Sequence, residues 1–161
     1  MSTDPGATAD GPAPRWLTED EMAAWLPFVR MVTLLPQALD RQLREDAGIG
    51  HVYYQILAML SAAPDEQLRM SELSRLTGTS PSRLSHAVSA LEGRGWVVRC
   101  AAERDGRGQV TRLTPDGRAE LERTAPGHVT EVRRRVFDRL GEGDVAHLRR
   151  IAETLLDGLP G

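Results

Sequence analysis

A mainly α-helical fold with one small β-hairpin is what this 161-residue sequence predicts, and three observations predict it. Apolar residues recur at helical spacing through most of the chain. The spacing changes once, near Trp96, to two short extended runs separated by a Gly-rich turn. Residues that cap helices stand ahead of the periodic stretches, twice followed by proline at the first helical position.

Residues 1–15 are polar, acidic and rich in Pro, Gly, Ala and Asp, and are expected to form a disordered tail. They hold no apolar stretch of the kind a secretory signal carries. Thr18-Glu19-Asp20-Glu21 reads as a capping box, in which hydroxyl and carboxylate each accept a backbone N–H. Met22, Trp25, Leu26, Val29, Val32 and Thr33 follow at helical spacing. Pro36 predicts a kink, after which Leu39 and Leu43 resume the pattern up to Gly48 or Gly50. A second helix over about 51–62 carries Tyr53, Ile56, Leu57 and Leu60.

Leu68-Arg69-Met70 reads as a short extended piece. Ser71 is expected to cap a short helix bearing Leu73 and Leu76. After the turn Thr77-Gly78-Thr79, Ser80 and Pro81 open another helix, with Leu84, Val88 and Leu91 as its inward stripe. Trp96–Cys100 and Gln109–Leu113 are the two strands of the hairpin, and 104–108 is its turn. Thr114-Pro115 opens a helix carrying Leu121, loosened at Pro126-Gly127 and continuing through Val129, Val132, Val136, Phe137 and Leu140. A last helix from about Asp144 holds Val145, Leu148, Ile151, Leu155 and Leu156.

Composition narrows the function. Forty per cent hydrophobic residues suffice for a core, but at 4% aromatic content a large aromatic-lined cavity is not expected. No apolar run stands out as long enough to span a bilayer, so no membrane partner is expected. Cys100 is the single cysteine, which excludes an internal disulfide or a Cys-based zinc site, and the whole points to the cytoplasm. The net charge of −3 is unevenly spread: residues 1–66 hold 4 basic and 10 acidic side chains, residues 67–123 hold 10 and 7, and the remainder 6 and 6. The positive excess therefore sits in the middle third. All 20 basic residues are arginine, a bias that a GC-rich coding sequence produces without any nucleic-acid role.

The order helix, short helix, turn, helix, hairpin is that of a winged helix-turn-helix, whose second helix enters the major groove of DNA. The helix from Ser80 suits that task. Its outer face offers Ser82, Arg83, Ser85, His86 and Ser89, short hydrogen-bonding groups around one arginine that can approach base edges closely. By itself such a face is as often a solvated surface. The hairpin tip adds Arg104 and Arg107 beside glycines, where an arginine can reach a narrow minor groove.

The stretch LRMSELSRLTGTSPSRLSHAVSALEGRGWVVR, followed by RDGRGQVTRLTPDGR, resembles the MarR family of bacterial regulators. The matching wing pattern is Asp105-x-Arg107, then Leu113-Thr114-x-x-Gly117. The resemblance implies that Arg107 is the minor-groove contact and that Asp105 braces the wing by pairing with an arginine. Arg104, beside that aspartate, departs from the pattern and is a candidate for phosphate or for Asp105. The resemblance also implies a homodimer on a pseudo-palindromic double-stranded operator. In it, residues 16–161 form the family domain, with 51–117 the winged helix-turn-helix and 16–50 and 118–161 the dimerisation helices. Val29, Leu35, Val136, Leu148, Ile151 and Leu155 are the candidate dimer contacts, since apolar stripes on such appendages need cover. Trp25, His51, Tyr54 and His128 are candidate lining for an effector pocket, because family members often respond to small aromatic or phenolic compounds.

Other features carry less. Cys100, at a strand end among apolar neighbours, reads as a buried structural thiol and not as a redox sensor. No two of the four histidines show metal-site spacing, so neither metal nor cofactor is expected. Arg133-Arg134-Arg135, flanked by Glu131 and Asp138, reads as a solvated helix face. A catalytic role lacks a phosphate loop, nucleophile elbow or ligand cluster, so no enzyme is expected. A winged helix that binds only protein is the alternative, against which stand Arg83 and Arg107. A non-specific architectural DNA protein would be strongly basic, and this chain is acidic.

Overall fold

The computed structural model of the chain describes residues 13–101 and 109–159. Its elements are α1 (Glu19–Ala47), α2 (His51–Ala62), β1 (Gln67–Arg69), α3 (Met70–Thr77), α4 (Pro81–Gly93), β2 (Val97–Ala101), β3 (Gln109–Leu113), α5 (Pro115–Arg135) and α6 (Asp144–Asp157), with short 3-10 turns at Pro64–Glu66 and Phe137–Arg139. The expected mainly helical fold with a small hairpin is what forms. The tail expected for residues 1–15 lies almost wholly outside the described residues.

Contacts divide the chain into two compact units, one ending at Leu34 and the other running from Leu35. In the first, the capping box forms as the sequence predicts. Thr18 N–H donates to Glu21 Oε2 at 2.7 Å, and Glu21 N–H to Thr18 Oγ1 at 3.2 Å. Trp25 and Phe28 lie with ring centroids 6.1 Å apart. Its apolar side chains, Trp16, Leu17, Met22, Trp25, Leu26, Val29 and Val32 among them, are exposed.

Helix α1 is continuous through Pro36. It also corrects the expectation about apolar runs. Its 29 residues include an 18-residue window of mean hydropathy 1.3, which by length and composition is enough to cross a bilayer.

The second unit holds the core: Leu43, Ile49, Ile56, Leu57, Leu60, Leu73, Leu84, Val88, Leu91 and Val97 are all at or below 1% exposure. The C-terminal end of α1 belongs to it through Leu39 and Leu43. Asp40 there accepts the first N–H of α2, from His51, at 2.8 Å and also binds Arg44 Nε. It thereby satisfies a helix-end donor that Gly50 at the cap position cannot.

The sheet has three antiparallel strands in the order β1-β3-β2, with Leu68 opposite Thr111 and Arg99 opposite Thr111 on the other side. The short extended piece at Leu68 is thus a true strand closing the hairpin against the helices.

Several local expectations are corrected. Helix α3 starts at Met70, one residue before Ser71, and Arg69 stands at its cap position. Leu76 is exposed. Ser80 precedes α4 but its side chain makes no capping hydrogen bond, Pro81 at the first position supplying the start. Helix α5 runs through Pro126 without a break and ends at Arg135, so Val136, Phe137 and Leu140 lie beyond it. Cys100 is half-buried and not fully enclosed.

The Leu-Thr-x-x-Gly run has a structural explanation. Thr114 caps α5 by accepting Gly117 N–H at 3.0 Å, and its hydroxyl donates to Gly95 O at 2.7 Å. A Cβ on Gly117 would overlap the carbonyl of Trp96 and press on Leu113. Glycine is required there because α5 meets the base of the hairpin backbone to backbone.

Candidate nucleic-acid interface

Helices α3 and α4 are joined by a turn that the sequence enforces. Gly78 adopts φ +61°, and Thr79 N–H reaches Ser74 O at 3.1 Å, closing α3 in the left-handed manner that glycine allows. Ser74 Oγ binds Thr79 O at 2.6 Å and tightens the same turn from its other side. Helix α4 then buries Leu84, Ala87, Val88 and Leu91 against the core. Ser80, Ser82, Arg83, Ser85, His86 and Ser89 are left on the solvent side, all exposed as the sequence predicts.

This face has two halves. The side chains of Ser82, Arg83 and His86 make no hydrogen bond or ion pair with another described residue. Ser85 and Ser89 are engaged by Arg99 of β2. Its Nη2 donates to Ser85 O at 2.8 Å and to Ser89 Oγ at 3.1 Å. Arg99 was not among the candidates, because a strand arginine gives no sign in sequence of the helix it will reach. Arg104, Asp105 and Arg107 lie outside the described residues.

Beside α4, on the side of Arg83 and His86, lies a cavity of about 590 Å³. Asp40, Arg44, Tyr53, Ser80 and Arg94 also line it. Arg94 stands over the rings of Tyr53 and Trp96, at 5.8 and 4.9 Å from their centroids, a cation–π arrangement that holds it at the rim. Arg44 is paired with Asp40, and that guanidinium holds the Asp40 carboxyl below its usual range despite some burial. Three arginines against one aspartate leave the lining positive.

Of the four residues expected at an effector pocket, three come together. His128 of α5 lies 4.2 Å from the Tyr54 ring and 5.6 Å from that of His51, both on α2. Gln42 Oε1 sits 3.3 Å from His128 Nδ1. Burial lowers the pKa of both imidazoles; Asp40 partly opposes this at His51, while His51 adds to it and Glu131 opposes it at His128. Burial likewise raises that of Tyr54. This is a packed cluster, and none of the three lines the cavity just described. Trp25 belongs to the first unit and is exposed.

Val29, Leu148, Ile151 and Leu155 are exposed by 36–47%, and Leu35 and Val136 are half-buried. No group of three or more potential metal ligands occurs among the described residues.

Two packed helices with the second offering an uncovered polar face, followed by a sheet hairpin, define a winged helix-turn-helix protein. Comparison with known proteins makes the assignment specific. Residues 47–108 match the MarR family model. The chain is 46% identical to Sco3205, a MarR family transcriptional regulator from Streptomyces coelicolor solved in complex with DNA, over 94% of each chain and with a TM-score of 0.86. AbsC, a MarR family transcriptional regulator from the same organism, is 36% identical over 88% of this chain and 98% of its own, with a TM-score of 0.79. The transcriptional repressor YetL of Bacillus subtilis is 28% identical over 85 residues, 53% of this chain and about half (51%) of that repressor's length. The chain belongs to the MarR family of transcriptional regulators.

Proposed function

We propose that the chain is a homodimeric repressor that binds a pseudo-palindromic operator and is released by a small-molecule effector. The uncovered hydrogen-bonding face of α4 is the observation that supports this most directly. Ser82, Arg83 and His86 stand on it with their polar groups unspent, and a major groove admits one such helix. The hairpin would lie in the adjacent minor groove, with Arg107 inserted, Arg104 on phosphate and Asp105 bracing the tip. Two recognition helices related by a two-fold axis would read half-sites about one helical turn apart. The apolar residues left exposed on α1, and separately those on α6, are available to such a dimer. The protein would act in the cytoplasm, where its DNA is, and regulate without catalysing a reaction.

The positive cavity beside α4 is the better candidate for the effector, in place of the packed His51, Tyr54 and His128 cluster. A small aromatic compound bearing an acidic group would find arginines there, and would engage Arg83 and His86, which the DNA also needs. Effector and operator then exclude each other because each binds a different state of the same side chains.

The test is fluorescence-anisotropy titration against DNA from upstream of the chain's own gene, with a scrambled duplex as control, over a salt series. A preference for the upstream duplex that persists at physiological salt, with one dimer per site, is expected. Equal and steeply salt-dependent binding to both would reduce the interaction to phosphate contact. Binding to neither would favour a protein-interaction role.

A further inference from the structure

The polar contact between the wing strand and the recognition helix centres on Arg99, which has an unusual set of partners. Arg99 occupies β2, which pairs with β3 on one side only. On its free edge the Arg99 N–H donates to Glu92 Oε1 at 3.0 Å, from the last turn of α4. The other carboxylate oxygen of Glu92 stands 3.4 Å from Arg99 Nε. That nitrogen is buried and makes no hydrogen bond, so the ion pair is what compensates its charge. The far end of the guanidinium then lies along α4, on Ser85 O and Ser89 Oγ. One residue thus ties the strand to the helix at its last turn and near its middle.

We propose that Arg99 is a positioning residue for DNA reading: it sets the wing strand relative to α4 and withdraws Ser85 and Ser89 from base recognition, leaving Ser82, Arg83 and His86 to read the sequence. This rests on the DNA-binding role proposed above. At about 100° per residue, Ser85 and Ser89 lie on the side of α4 toward β2, and Arg83 and His86 on the side toward the cavity. The Arg99 guanidinium lies beside both serines, with its side chain 23% exposed. The Ser89 hydroxyl, accepting from Arg99 at 3.1 Å, has one lone pair fewer to offer a base, and the Ser85 hydroxyl lies 3.5 Å from the same nitrogen. Arg99 is the only basic residue whose side chain hydrogen-bonds to α4 among the bonds between described residues.

The experiment is selection from a randomised duplex pool with the full-length protein, followed by anisotropy titration of the selected and a scrambled duplex. Ser85→Ala and Ser89→Ala should enrich the same sequence as the wild type, with Kd within about threefold. Ser82→Ala, Arg83→Ala and His86→Ala should each change the preference at one or more positions. Arg99→Gln should weaken binding to the selected duplex tenfold or more and shrink the ratio between selected and scrambled duplexes, at a melting temperature close to that of the wild type. Arg99→Lys, which keeps the charge but cannot span both serines and Glu92, should recover only part of that ratio. If Ser85→Ala or Ser89→Ala alters the enriched sequence, the proposal is overturned while DNA reading stands; these exposed positions give that answer even if Arg99→Gln fails to fold. If the wild type enriches no sequence, the DNA-binding role itself falls, and the proposal with it.

Discussion

Helices α4 and α6 carry nearly the same apolar pattern and meet opposite fates. In α4, Leu84, Val88 and Leu91 repeat at i, i+4, i+7 and have no exposure at all. In α6, Leu148, Ile151 and Leu155 repeat at i, i+3, i+7 and are exposed by 37–47%. Periodicity states only that a helix has an apolar side. Whether its own chain covers that side depends on which elements the topology brings alongside. Helix α4 is covered by α2, α3 and the sheet. Helix α6 is the last element and has no buried residue, so its stripe is available to a second copy.

The sharpest way to break this contrast is Leu155→Glu. Two-fold symmetry would bury the exposed half of the side chain twice, so its loss should weaken the dimer by about 1.5–3 kcal/mol. Sedimentation should show monomer at micromolar concentration, with tight operator binding lost together; a monodisperse dimer would place Leu155 outside the interface. Leu84→Ala is the matched change on the covered helix. Its expected cost is about 2–5 kcal/mol of folding stability, read by urea titration. It should lower the transition at every protein concentration, whereas the effect of changes on α6 should depend on concentration. Next in size is Arg107→Ala, which should reduce operator affinity by about 1–3 kcal/mol without altering the dimer. Unchanged affinity would remove the wing from the interface.

The smallest effect concerns the contact between α2 and α5. His51 and His128 have lowered pKa values in the folded chain, so the folded state disfavours their protonation. The unfolded chain takes up those protons near the ordinary histidine value of about 6.5. The stabilisation is therefore complete above that pH and declines as the pH falls from there toward the folded values. Thermal melts between pH 7.5 and 5 should show this decline, and His128→Gln should flatten it. A melting temperature unchanged across that range would mean that neither imidazole titrates differently in the two states.

Much of the fold was legible because local signals and packing agree. The capping box at Thr18, the glycine turn at Gly78 and the change of period at Trp96 each stand where an element begins or ends. What was not legible depends on distant partners. Ser80 precedes a proline as a cap would, yet Pro81 starts the helix without its hydroxyl. Pro126-Gly127 reads as a loosening of the helix, but an α5 packed on α2 stays helical through it. The candidate recognition residues were placed on the solvent face of α4 by spacing alone. That Ser85 and Ser89 differ from Ser82 was not, since the difference comes from a strand arginine ten or more residues away. Nor could sequence show that Leu-Thr-x-x-Gly serves the junction of α5 with the hairpin.

The free edge of β2 has a consequence for solubility. An open strand edge is a template on which other chains can add a strand, and a hairpin that must stay exposed runs that risk continuously. At Arg99 the outward amide is already taken by Glu92. A neighbouring hairpin that approached would find this position occupied and a carboxylate in its path. The Glu92 side chain thus occupies part of the edge on which another strand would add.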